Sequence, residues 1–405
     1  MSSKMKSSAA AGLVPKLRFP EFQEADGWET AGGDRLFRQV NNREAPSGLP
    51  ILAITQEHGA IPRDMIGYHV SVTEKSLETY KEVLPGDFII SLRSFQGGIE
   101  SSEYHGICSP AYVILRKRGD LCGQFYKQYF KSHDFILQLT KNLEGIRDGK
   151  MISYKQFSDL QLLHPSLPEQ QKIADCLASA DALIEARGRK VKALKAHKKG
   201  LMQQLFPQVG ETQPRLRFPE FEDVEGWSVK PLGKVAENLD NKRVPITSGS
   251  RVAGSVPYYG ASGVVDYVDD YIFDEDLLCI SEDGANLLAR TYPIAFAISG
   301  KTWVNNHAHV LRFKHRFTQK FVEVYLNSIK LDDFLTGMAQ PKLNKAKLDT
   351  IPIPLPTETE QKRIADCLTS LDDLIASEIR KLETLKMHKR GLMQQLFPQA
   401  GEAEG

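Results

Sequence analysis

From residue 173 to residue 205, apolar side chains recur in alternating steps of four and three: Ile173, Leu177, Ala180, Ile184, Val191, Leu194, Leu201 and Leu205. Arg187 and Lys198 break the series. A period of about 3.5 residues is the heptad of a coiled coil, so the pattern predicts a helix whose narrow seam packs on another helix. The same pattern returns at Ile364, Leu368, Leu371, Ile375, Leu382, Leu385, Leu392 and Leu396, broken at Glu378 and Lys389. Pro168 and Pro356 fall just before the two stretches, and Pro207 and Pro398 stop them. Gly200 and Gly391 weaken the helical signal near each end. Two such seams in one chain most simply bury each other, and the long segment between them permits an antiparallel return.

Elsewhere the period changes. "GDFIISLRS" (86–94) and "AYVILRKR" (111–118) read as strands, followed by a helix at 124–142. "EDLLCIS" (275–281), "HAHVLRFK" (307–314) and a helix at 317–329 repeat that order. Phe125, Tyr129 and Phe130 correspond in role to Phe321, Tyr325 and Leu326. Two tails place apolar residues at equal offsets: Ile152, Phe157, Leu160 and Leu162 against Leu343, Leu348, Ile351 and Ile353. One α/β (α+β) fold is therefore expected twice, although the sequences are unlike.

The periodic segments, in contrast, are nearly identical. "HKKGLMQQLFPQ" (197–208) returns as "HKRGLMQQLFPQ" (388–399), and the likeness reaches back to Glu169 and Glu360 with roughly two-thirds of positions identical. "LRFPEFQEADGW" from Leu17 matches "LRFPEFEDVEGW" from Leu216. Only 29–168 and 228–359 diverge. The repeated parts must meet a common partner or each other; the divergent parts must do two different jobs of one kind. The organisation expected is a tail (1–16), a first domain (17–168), a first helix (169–207), a linker (208–215), a second domain (216–359), a second helix (360–398) and a tail (399–405). The seam is carried by Ile173, Leu177, Ile184, Leu194, Ile364, Leu368, Ile375 and Leu385. Antiparallel pairing of like helices gives pseudo-twofold symmetry.

A length of 405 residues suffices for two or three domains. Hydrophobic residues at 41% and charged residues at 25% describe an ordinary globular protein. No run of apolar residues is long enough to span a membrane, and the N-terminal stretch lacks a secretory h-region. The five cysteines show no metal spacing and read as reduced thiols in the cytoplasm. The net charge of +1 argues against binding nucleic acid by bulk phosphate neutralisation, but leaves room for local basic patches.

Polar loops lie between the paired strands: "RSFQGGIESSEYHG" (93–106), "EDGANLLART" (282–291) and "GKTWVNNHAH" (300–309). Arg can fork to guanine, and Asn or Gln to adenine, in the major groove. Arg93, Ser94, Gln96, Glu282, Asn286, Asn305, Asn306 and His307 are the candidate readers. Arg116, Lys117 and Lys301, with Lys150 and Lys342, are candidate DNA-contacting cations. Solvated loops and ordinary charged faces remain the alternative for each. No catalytic site emerges. "AFAISGKT" (295–302) fits a loose phosphate-loop pattern, but Ile294, Phe296 and Ile298 alternate as a strand where that motif needs a glycine-rich turn before a helix. His307 and His309 share a strand face without a third ligand, so no metal site is expected.

Two variable domains, each followed by a heptad helix running into "K.GLMQQLFP", resemble the specificity subunit of type I restriction-modification systems. The likeness covers residues 17–398. It implies two target-recognition domains, separated by an antiparallel two-helix coiled coil, each reading one half of a bipartite double-stranded DNA site. It also implies helices that dock two methyltransferase subunits, which flip and methylate adenine with S-adenosylmethionine. Restriction subunits, ATP-dependent translocases and nucleases, would join them. This chain would bind no cofactor and perform none of that chemistry. A specificity chain with its own nuclease activity, and a non-DNA scaffold, are the rivals.

Overall fold

The computed structural model describes residues 13–67, 74–141, 152–208, 211–337 and 340–398. The chain divides into two compact units, residues 1–187 with 381–405 and residues 188–380. Each unit holds one divergent segment and a part of both long helices, Leu167–Leu205 and Glu358–Leu396.

In the first unit, strands Phe37–Val40, Val113–Lys117, Phe88–Ile90 and Glu100–Ser101 lie side by side in that order, all antiparallel. Phe88–Ile90 and the first three residues of Val113–Lys117 are apolar because both faces are covered. Phe88, Ile90, Val113 and Leu115 face an aromatic core with Phe37, Phe125, Tyr126, Phe130 and Phe157. Ile89 and Ile114, one residue out of step, face a smaller cluster with Leu52, Ala60, Val83 and Cys108. That cluster is roofed by a hairpin, Leu52–Thr55 with Gly59–Pro62, and by Lys81–Val83 paired with Gly106–Cys108. A parallel bridge between Ile51 and Ile107 joins the two pairs.

The second unit repeats this plan. Glu237–Asn238, Ala308–Arg312, Leu277–Ser281 and Ala295–Ile298 form the first layer in the same order. Leu278, Ile280 and Leu311 face one cluster, while Leu277, Cys279 and Val310 face the other. The roof is Gly263–Val268, Ala253–Gly260, Lys301–Val304 and Phe273–Asp274, its middle pair parallel. Ala295–Ile298 and Lys301–Val304 are both strands, joined through Gly300 at φ 68°, so the phosphate-loop reading fails for want of a helix.

One predicted helix differs. The stretch 124–142 forms two helices, Gly123–Tyr129 and His133–Lys141. Ser132 makes the break, its Oγ accepting from the Phe135 N–H as a side-chain cap. The matching segment of the second unit, Arg316–Ser328, runs through.

The long helices meet antiparallel within each unit. In the first, Asp181 accepts from Lys389 at 2.6 Å, while Ile173 and Leu177 share a core with Leu396 and Phe397. In the second, Lys190 reaches Glu378 at 3.2 Å, Lys198 pairs with Asp372, and Leu205 and Phe206 share a core with Ile364 and Leu368. All eight expected seam residues are buried or half-buried. Leu183 and Leu374, off the seam at equivalent positions, are exposed.

This arrangement accounts for the repeated "LMQQLF". Phe397 lies 5.6 Å from both Phe125 and Tyr129, in the core of the first domain. Phe206 lies 5.1 Å from Phe321 and 5.6 Å from Tyr325, in the core of the second. The repeated lead-ins dock alongside. Leu17 N–H donates to the Gln395 carbonyl, and Leu216 N–H to that of Gln204. Arg18 forks onto Glu169, and Arg217 onto Glu360, with both bonds of each pair at 2.8 Å. Each domain is thus completed by the start of the helix that follows it and the end of the other one.

Candidate nucleic-acid interface

In each unit two loops far apart in sequence come together beside the central strand. In the first, the hairpin tip Gln56–Glu57–His58 lies against the turn after strand Phe88–Ile90. Gln56 Nε2 donates to the Arg93 carbonyl at 3.5 Å, and Ala60 bridges to Ser102. In the second, Ser281 Oγ donates to the Ala261 carbonyl at the tip of the larger hairpin, and Ser262 Oγ meets Tyr292 Oη at 2.9 Å.

The expected readers divide sharply. Arg93 and Gln96 are exposed, and no hydrogen bond from either side chain to another described residue is seen. Lys117 is exposed but reaches the Leu121 carbonyl at 3.3 Å. Asn306 is exposed, and Lys301 is exposed over the Tyr271 ring at 4.6 Å. His307 is exposed and bonded through Nδ1 to Asp283 at 2.7 Å. Lys342 is half-exposed, 3.1 Å from Glu282. Lys150 lies outside the described residues.

Five expectations change. Ser94 is buried, and its Oγ accepts from the Ser91 N–H, closing the turn instead of facing a base. Asn286 is buried, its Oδ1 accepting from Thr291 and Tyr292 while its Nδ2 donates to the Tyr292 carbonyl. Asn305 is buried and caps the following turn by accepting from the His307 N–H at 2.8 Å. Arg116 grips buried Asp87 through two bonds of 2.7 Å, which occupies the guanidinium fork a phosphate would need. Glu282 is bound by Arg243 at 2.6 Å.

Glu282 belongs to a buried ionic network that sequence reading missed. Arg243 also lies 3.4 Å from Asp240, whose Oδ2 meets His309 Nδ1 at 2.6 Å. His309 Nε2 donates to the Leu343 carbonyl. Burial opposes ionisation of Asp240, but the bond from His309, the Val310 N–H and nearby Arg243 prevail and hold its carboxyl below the ordinary value. Glu282 is likewise held low, as Arg243, His309 and Lys342 outweigh its burial. Among the described residues no group of His, Cys, Asp and Glu could hold a metal ion.

Residues 224–387 match the type I restriction modification DNA specificity domain family. Similarity to curated proteins extends beyond that stretch. The chain is 25% identical to the MjaX type I restriction enzyme specificity subunit of Methanocaldococcus jannaschii, over 86% of each chain. The chain thus carries a type I restriction modification DNA specificity domain over residues 224–387 and resembles type I restriction specificity subunits along most of its length. A specificity subunit of Haemophilus influenzae is 42% identical, over 36% of this chain and only 39% of that protein's length. Two solved structures share the fold: an S subunit from M. genitalium (TM-score 0.57, 15% identity, 95% of this chain and 99% of that one) and a chain from a type I restriction-modification assembly (TM-score 0.53, 16% identity, 92% and 98%). The matching family is one of DNA recognition, not catalysis. No helix among the described residues is long and apolar enough to cross a membrane.

Proposed function

We propose that each recognition domain reads one half of a bipartite double-stranded DNA target, and that the paired helices set the gap and dock two methyltransferase subunits. Those partners would supply S-adenosylmethionine and the methylation of a flipped adenine; restriction subunits would complete the assembly. One observation carries the reading: the two domains share a two-layer topology and a near-identical helical platform, yet differ in the loops set beside the central strand. Common mechanics with different polar edges suit two base sequences read by one machine.

The test is motif sequencing of methylated DNA from cells carrying this chain with its methyltransferase. A bipartite motif is expected, and replacing residues 228–359 with the matching segment of another specificity subunit should change one half-site only. Inserting one matched heptad into each helix adds about 10 Å of rise. At 3.4 Å per base pair that lengthens the unspecified gap by roughly three pairs, with both half-sites unchanged. Absence of any sequence-dependent methylation would favour a scaffold that does not read DNA, and cleavage by the purified chain alone would favour an intrinsic nuclease.

A further inference from the structure

The hairpin tip of the first domain carries residues that no motif singled out. We infer that Gln56, lying across the Arg93–Gly97 turn, is a base-reading residue for an A·T pair next to the pair contacted by Arg93. The inference rests on half-site reading by this domain and names the residues that do it.

Three observations converge. First, the same two loops meet in both domains although their sequences differ, so the composite edge is a property of the fold. Second, the tip is held rigidly. Thr55 Oγ1 donates to the Gly59 carbonyl at 3.1 Å and accepts from the His58 N–H at 3.0 Å, and Gly59 takes a φ of 70°. A fixed tip loses little freedom on binding. Third, Gln56 is exposed yet placed. Its Nε2 spends one hydrogen on the Arg93 carbonyl; the second hydrogen and Oε1 have no partner among the described residues. One donor and one acceptor side by side on an amide is the pattern that matches adenine N7 and N6. Gly97 makes the placement possible: a Cβ there would sit 2.6 Å from Gln56 Cδ and Nε2.

The neighbourhood suits a polyanion. Arg93 is exposed at the same turn, and half-buried Arg63 lies at the end of the hairpin. Both arginines lie close enough to Tyr112 for their charges to act on its phenol.

The experiment uses the chain assembled with its methyltransferase partner, with methylated motifs sequenced from cells and competition binding measured on duplexes varied one pair at a time. Gln56→Ala should relax one base pair of the first half-site, lowering preference there roughly tenfold or more. Gly97→Ala leaves the glutamine in the sequence but pushes it aside, and should relax the same pair. Arg93→Ala should relax a neighbouring pair. The second half-site should stay as it was. A wild-type bipartite motif that is unchanged in both Gln56→Ala and Gly97→Ala overturns this inference alone. So does an equal loss on all duplexes, which would mark a phosphate contact. A wild-type complex with no bipartite motif overturns the half-site reading, and this inference with it.

Discussion

The two recognition domains reach one topology with different interiors. The first is filled by rings: Phe37 alone lies within 6.0 Å of Phe88, Tyr126, Phe130 and Phe157. The second is mostly aliphatic and carries the buried Asp240, Arg243, Glu282 and His309 network, linking the strand edge to the loop after Leu277–Ser281. Topology here depends on where apolar residues alternate, not on which ones they are. Cores tolerate broad substitution if volume and pattern are kept. What the domains cannot vary is the platform, where one helix end must fit either domain.

The largest test of that contrast is at the platform. Phe397→Ala should weaken the first domain by about 3–5 kcal/mol, although the residue lies at the far end of the chain. Phe206→Ala should do the same to the second domain only. Urea unfolding of the full chain can separate them. Trp28 reports the first domain once Trp227 and Trp303 are replaced by Phe; those two report the second once Trp28 is replaced. Equal loss in both domains from either variant would break the assignment of each helix end to one core.

A second contrast concerns two arginines at matching places on the last sheet strand. Arg116 holds Asp87, which is only 1% exposed; Arg312 holds Glu275, which is 34% exposed. Both clamps are bidentate, so geometry does not distinguish them; solvent does. Arg116→Ala strands a buried carboxylate and should cost about 3–5 kcal/mol in the first domain. Arg312→Ala leaves its partners to water and should cost about 1 kcal/mol or less in the second. The same urea titrations decide it, and a reversed order would mean that burial does not set the value of these pairs.

These arginines also show where sequence reading stops. The two long helices and the central strands were legible because periodicity reports burial directly. The break at Ser132 was not, because a cap depends on one hydroxyl turning back on its own backbone. Ser94, Asn286 and Asn305 looked like base readers for the same reason: the groups that suit a base edge also suit a turn's own N–H groups. Arg116 looked free because Asp87 lies 29 positions away and only the sheet brings them together. Gln56 carries no sequence signal because a short polar tip has no period at all.

The smallest expected effect is one of pH. Asp240 and Glu282 in the second domain are held below their ordinary values. Groups depressed in the folded state add stability above their unfolded pKa, about 4, and lose it as pH falls through the folded value. Each domain also has one carboxyl that burial raises, Glu100 in the first and Glu323 in the second, whose folded form gains on the unfolded one as pH falls. The difference therefore lies in the partly buried depressed groups: Glu82 in the first against Asp240, Glu282 and Glu275 in the second. Between about pH 5 and pH 3 the second domain should therefore lose stability more steeply than the first. Asp240→Asn combined with Glu282→Gln should lower the second domain's stability at pH 7 and flatten its acid slope, leaving the first domain's slope as it was. The readout is again the pair of tryptophan-resolved urea curves, now taken at several pH values. Parallel acid slopes in the two domains of the wild-type chain would show that the buried network contributes no net linkage and that other carboxylates govern acid unfolding.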